Sequence, residues 1–399
     1  MNQMTQSAAD KRFSFVAWEE SLHEQARQLA GSDDFGDPSY LEGLRVLLAA
    51  YDRESRLSPA GQDWARGRLL NILRNRPRAQ RMWKDHPAIL RTEIRRPLFI
   101  LGIIRTGTTA LHHLLSQDPA SQVLEYWLAT APQPRPPREQ WERHPDYQRA
   151  IREIDWMYEG DPSLKAIHLM LPDTAEECLH LLQQSFTDDT FDATATIPSY
   201  SAWYAQVDMV PSYARHRDLL KLIGYHTPER RWLLKYPAHL AHLRALLAVY
   251  PDACIVHTHR DPCEVMSSAC SLLAGFRALY ESDVDRAAIA RWTLDLWATR
   301  MDRYVALRRK CDPQQFFDAH FREILSDPVG VARRVYDHFG LQWTDAAERH
   351  LRRWHAENPR GKHGEHVYRA EDFGLDNDMV AERFSKYMRY FNLERSRGG

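Results

Sequence analysis

The sequence predicts a three-layer α/β fold, with a central parallel sheet between helices and an added N-terminal helical region. Three observations predict it. Short apolar runs bounded by Pro, Gly or charge recur at 97–102, 231–234 and 253–259, as strands buried on both faces do. Each is followed by a turn and then by apolar residues at helical spacing, the alternation that builds parallel sheets. Residues 12–92, by contrast, read as helices throughout.

In the N-terminal part, Tyr40 to Ala50 is one expected helix. Trp64 to Leu73 is another, with Trp64, Leu69, Leu70 and Leu73 on one face and Arg on the others. Residues 1–95 are therefore expected to form a helical cap, and residues 96–399 the α/β domain.

The first core strand is Pro97-Leu98-Phe99-Ile100-Leu101-Gly102. A turn through 106–109 follows, and Ala110-Leu111-His112-His113-Leu114-Leu115 opens a helix. Strand, tight turn and helix start aim free backbone N–H groups and a positive dipole end at one point, which suits a phosphate. The Gly102 to Gly107 spacing is that of a Walker A loop, but Thr108 holds the lysine position and Arg105 supplies a cation inside the loop. The bland alternative is an ordinary strand-to-helix turn with Thr106 or Thr108 as N-cap.

Residues 231–275 repeat the alternation: a strand ending at Lys235-Tyr236-Pro237, a helix from Ala238 to Val249, a strand from Ala253 to His259, a turn at Arg260-Asp261-Pro262 and a helix from Cys263 to Ala274. Ligands of open parallel sheets lie outside the carboxyl ends of the strands. Arg105, Lys235 and Arg260 all fall there, as a site for a polyanion requires. Ser268, two turns into the last helix, adds a hydroxyl.

These residues carry a family resemblance. The chain resembles PAPS-dependent sulfotransferases, of the bacterial branch with a P-R-[ST]-G-T-T loop in a P-loop-type fold, related to the tyrosylprotein sulfotransferases. Arg105-Thr106-Gly107-Thr108-Thr109 matches that loop, with Ile104 in place of its proline. His259-Arg260-Asp261-Pro262 followed by Ser268 matches the 3′-phosphate element. Lys235-Tyr236-Pro237 resembles K-[SA]-P, with a bulkier middle residue. Asp34-Phe35-Gly36-Asp37-Pro38-Ser39-Tyr40 and Glu371-Asp372-Phe373-Gly374-Leu375 also resemble segments of this branch.

The resemblance implies PAPS as donor and PAP as product, with no metal. It puts the 5′-phosphosulfate on residues 106–109 with Arg105 beside the sulfate, and the 3′-phosphate on Arg260 and Ser268. Lys235, with Arg105, is the expected cation at the departing oxygen. The acceptor's base is expected about twenty residues past the loop arginine, at Glu125; His168 and His180 are the rivals. A basic glycine-containing loop near the C-terminus covers the nucleotide in sulfotransferases, so Arg360 and Lys362 are expected to reach the 3′-phosphate.

A zinc alternative rests on His257 and His259, alternating on one strand, and His239 and His242 on one helix face. No Cys or carboxylate stands at diagnostic spacing with them, and packed or hydrogen-bonded histidines are the favoured reading. A Pro- and Arg-rich loop at 131–138 is either a linker or a gate over the acceptor. The following stretch holds Trp156, Tyr158, Phe186, Phe191, Tyr200, Trp203, Tyr204 and Tyr213, so residues 130–225 are expected to form core and the acceptor pocket.

Composition bounds the rest. Lys and Arg number 53 against 54 Asp and Glu, which leaves no basic excess for nucleic acid. An apolar content of 44% in 399 residues buries a full α/β core. Five scattered cysteines read as reduced thiols of a cytoplasmic protein, and no apolar run is long enough to span a membrane. A hydrophobic hydroxylated small molecule or lipid is the expected acceptor. A P-loop kinase, or a nucleotide-binding protein without transferase activity, is the alternative; a kinase would need the lysine that Thr108 replaces.

Overall fold

A computed structural model describes residues 14–160, 162, 165, 169–359 and 373–395. Five parallel strands form the sheet: β1 (Leu98–Gly102), β2 (Ser121–Gln122), β3 (Arg231–Lys235), β4 (Cys254–His259) and β5 (Phe316–His320), in the order β2-β3-β1-β4-β5. β1 is central, in register with β3 through Leu98 and Leu233 and with β4 through Leu98 and Cys254. All five residues of β1 and all six of β4 are buried.

Alternation along the strands divides the core into two layers. Leu98, Ile100, Leu233, Cys254 and Val256 join one apolar cluster. They pack there with α4 (Thr108–Leu115), α9 (Pro328–Phe339) and α10 (Asp345–Glu357). Phe99, Leu101, Leu234 and Ile255 face the other way into a larger cluster. That cluster takes in α1 (Trp18–Ala30), α2 (Tyr40–Glu54), α3 (Pro59–Asp85), α5 (Pro145–Gly160) and the start of α7 (Pro262–Tyr280). The three-layer expectation is met, and the N-terminal helices share one core with the sheet.

Element boundaries depart from the sequence reading in places. α3 runs 27 residues, through Pro77, and beside the proline the buried Arg76 guanidinium donates to the carbonyls of Phe35, Asp37 and Gln184. The helix expected over 238–249 splits into a 3₁₀ segment, Pro237–His242, and α6 (Leu243–Val249). His239 is held there by the Tyr213 hydroxyl at 2.7 Å from its Nδ1. α7 begins under the Asp261 side chain, which accepts from Cys263 N at 2.9 Å, and continues to α8 (Arg286–Arg308). Among the described residues no helix is long and apolar enough to cross a membrane, and the five cysteines are unbridged.

Candidate active site

Beyond β1 the chain turns through residues 103–107 into α4. Two residues of the turn have positive φ, Arg105 at 71° and Gly107 at 93°. Only glycine takes that conformation without steric cost, and a Cβ at Gly107 would also meet the Phe321 ring at 3.0 Å. Gly102 is needed for approach rather than for φ: a Cβ there would lie 2.4 Å from Thr258 Oγ1. The Thr106 hydroxyl donates to Ile103 O at 2.6 Å and pairs with Thr258 Oγ1 at 2.6 Å, which fastens the loop to β4. Neither Thr106 nor Thr108 caps the helix; Gly107 is the N-cap and offers no side-chain cap. The first-turn N–H groups of α4 thus keep the anion-binding character of a helix start.

The cations converge on this turn. Arg105 Nε donates to Ser268 Oγ at 3.2 Å, and Arg260 Nη1 donates to the Arg105 carbonyl at 3.2 Å. Arg260 also pairs with Glu264 at 2.9 Å and lies 4.2 Å over the Phe321 ring. Arg105, Arg260 and Ser268, separate in sequence, form one cluster at the carboxyl ends of β1 and β4. Lys235, 1% exposed, reaches the first turn of α4 from β3, with Nζ 3.2 Å from Thr109 Oγ1. Its ammonium also touches the Glu177 carboxylate. No sequence motif marks Glu177; its only signal is a pair of adjacent acids, Glu176-Glu177, ahead of Leu179-His180-Leu181-Leu182.

Glu125 bridges to Ala175 through its backbone, and its carboxylate is engaged by the 131–138 loop. Its Oε2 accepts from Arg135 at 2.9 Å and 3.3 Å. Arg135 also donates to Val123 O at 2.6 Å and Gln122 Oε1 at 3.1 Å. The 131–138 loop is thereby anchored to the end of β2 through Glu125. His180 stands edge-on to Tyr126, 5.3 Å between ring centres. His168, Arg360, Lys362 and the basic loop around them lie outside the described residues, as do Glu371 and Asp372.

A cavity of about 680 Å³ opens beside the turn, and Arg105, Thr108, Thr109, Glu177 and His180 are part of its wall. Most of the wall is apolar. Trp156 comes from α5, as the aromatic-rich middle of the chain led one to expect, whereas Phe186, Phe191, Tyr200 and Tyr213 are core. Residues 130–225 supply much of the wall, Met157, Met170, Glu177 and Leu179 among them, and further parts come from outside that range: Trp64 of α3, Phe276 and Tyr280 of α7, Trp292 of α8. Trp64 and Tyr280 stack at 3.9 Å. The bulky Tyr236 is explained by what lies behind it. Its hydroxyl lies between two carboxylates, 2.7 Å from Asp188 and in contact with Asp189, and Asp189 pairs with Arg300 at 2.6 Å. Burial, with the Asp189 charge adding to it, pushes the Asp188 carboxyl up to about 6.

The four histidines do not form one ligand set. His257 and His259 gather with Asp318, but His259 spends its nitrogens on Asp318 at 2.9 Å and the Tyr387 hydroxyl at 3.1 Å. His239 is engaged by Tyr213.

Comparison with known proteins bears on this geometry. A model of the sulfotransferase family matches residues 97–345. The omega-hydroxy-beta-dihydromenaquinone-9 sulfotransferase Stf3 of Mycobacterium bovis is 25% identical over 307 residues, 73% of this chain and 74% of that protein. The crystal structure of sulfotransferase STF1 from Mycobacterium tuberculosis superposes with a TM-score of 0.84 at 40% identity, covering 94% of this chain and all of that one. That of STF9 from Mycobacterium avium gives 0.86 at 26% identity, over 94% and 97%.

Proposed function

This chain belongs to the sulfotransferase family, and from that premise we propose that it moves the sulfuryl group of PAPS to a hydroxyl of a hydrophobic small molecule or lipid. The observation that carries the acceptor class is the largely apolar cavity of about 680 Å³ whose wall includes the loop arginine and the first turn of α4. A relative at 25% identity is named an omega-hydroxy-beta-dihydromenaquinone-9 sulfotransferase, and a hydroxylated lipid acceptor agrees with such a cavity.

In this reading the 5′-phosphosulfate rests on the N–H groups at the start of α4, with Arg105 beside the sulfate. Arg260 and Ser268 hold the 3′-phosphate, for which a planar guanidinium is suited. Sulfuryl transfer leaves negative charge on the bridging oxygen that stays with PAP. Lys235, buried at the end of β3, stabilises that charge where water screens it least. Tyr236, Asp188 and Asp189 stiffen the segment carrying Lys235. Unbridged cysteines agree with a cytoplasmic setting. The kinase alternative loses support from family membership and from Thr108 in the lysine position.

Titration with PAP, 5′-AMP, ATP and GTP tests the donor half. PAP is expected to bind far more tightly than the others; ATP or GTP binding as tightly would contradict the reading.

A further inference from the structure

We infer that Glu177 is the base that takes the proton from the acceptor hydroxyl, an assignment that rests on the sulfuryl-transfer reading above. Three observations carry it. Glu177 is a wall residue of the cavity that also meets Thr108, Thr109 and Arg105, so it stands where acceptor and donor come together. Its carboxylate touches the Lys235 ammonium, with side-chain exposures of 14% and 2%. Its backbone is pinned on both sides. Cys178 N donates to Lys235 O at 3.0 Å, and Glu176 N to Leu124 O at 2.7 Å. Glu177 N itself donates to Glu176 Oε1 at 2.8 Å. A carboxylate held this way keeps its position through a reaction cycle.

Stability alone does not account for the pair. Two charges taken out of water recover little net free energy even when well matched, and apolar replacements of similar volume are often as stable. Placed between an apolar cavity and a phosphate loop, the pair has a chemical use. As the acceptor oxygen attacks sulfur, its proton passes to Glu177 while the new O–S bond forms. The bond from sulfur to the 5′-phosphate oxygen breaks, and its electron pair leaves with PAP. Lys235, next to both carboxylate and loop, neutralises the departing oxygen. Proton and negative charge are received by adjacent side chains, and no further reactant is needed. Glu125 has the other task, fixing Arg135 and the 131–138 loop.

The test uses the full chain, ³⁵S-labelled PAPS and a total bacterial lipid extract as acceptor pool, with PAP affinity measured separately by calorimetry. Glu177→Gln is expected to lower turnover about 10²-fold or more, to keep PAP affinity within a few-fold, and to remove the acidic limb of the kcat/KM profile. Glu177→His is expected to move that limb up toward about pH 6.5, which a merely structural residue would not do. Glu125→Gln is expected to retain the limb. If the wild type transfers label and Glu177→Gln keeps turnover within a few-fold, the inference is overturned while the family reading stands. It is overturned equally if Glu177→His, used where the Gln variant loses PAP binding, leaves the profile in place. A wild type that binds PAP no better than 5′-AMP and transfers no label overturns the reading itself, and this inference with it.

Discussion

Arg105 and Ser268, 163 positions apart, meet through a hydrogen bond of 3.2 Å from Nε to Oγ. That contact joins the turn after β1 to the helix after β4. Arg260, donating to the Arg105 carbonyl, makes the junction a three-residue cluster. The residues proposed for the two ends of the donor are thus mechanically linked.

The first expectation concerns the 3′-phosphate. Arg260→Ala removes a charge-assisted contact, worth roughly 1.5–3 kcal/mol. The preference for PAP over 5′-AMP is expected to shrink about 10- to 150-fold, with 5′-AMP affinity little changed. Calorimetric titration of both nucleotides measures it; equal losses for the two would remove Arg260 from the 3′-phosphate.

The second concerns the turn. Gly107→Ala puts a Cβ at positive φ, which costs about 1–2 kcal/mol, and presses it toward Phe321. A fall in Tm together with a tenfold or greater loss of PAP affinity is expected. Unchanged PAP affinity would mean that the turn does not bind the donor.

The third concerns Lys235. In the proposed reaction it meets charge that exists only in the transition state. Lys235→Ala is therefore expected to reduce kcat strongly while PAP affinity stays within a few-fold. Loss of affinity matching the loss of kcat would make Lys235 a ground-state binding residue.

The fourth concerns the acceptor cavity. Gly67 of α3 is in its wall, and a Cβ there meets nothing within 4 Å. Gly67→Leu improves helix propensity by up to about 1 kcal/mol while intruding on the cavity. Tm is expected to rise and KM for a lipid acceptor to increase several-fold, with PAP affinity constant. An unchanged acceptor KM would place the acceptor elsewhere.

The fifth concerns pH. Burial pushes the His216 imidazole down to about 3, and its Nδ1 lies 2.7 Å from the Tyr250 hydroxyl. An unfolded histidine binds its proton near pH 6.5. Between about 6.5 and 3 the unfolded state therefore holds more protons, and stability falls as pH falls, by up to about 1.4 kcal/mol per pH unit from this group. Denaturation midpoints of wild type and His216→Gln across pH 7 to 4 are expected to show a shallower acid loss in the variant. Parallel curves would contradict it.

What the sequence disclosed follows from how local each signal is. β1, β3 and β4 each hold an apolar run, with a glycine or a cation (Gly102, Lys235, Arg260) at or just past the strand end, so strand type and strand end could be read directly. β5 could not: Phe316-Phe317-Asp318-Ala319-His320 carries a charge and two only partly buried positions at an edge, so no period stands out. The cluster of Arg105, Arg260 and Ser268 was legible because each member sits at a strand end or a fixed helical offset. Glu177 was not, because its pairing with Lys235 spans 58 positions and is made by packing alone. The cavity wall was placed too narrowly for the same reason, since Trp64, Phe276 and Trp292 reach it from helices distant in sequence.

The proposed reaction is sulfuryl transfer from PAPS to a hydrophobic hydroxyl. Incubating the protein with ³⁵S-labelled PAPS and a total lipid extract, then partitioning into organic solvent, tests it most directly. Label is expected in a lipid product whose sulfate is released by solvolysis, with stoichiometric PAP, and that product is expected to be lost in Lys235→Ala. Label that stays in PAPS or inorganic sulfate, while the protein binds PAP no better than 5′-AMP, would contradict it.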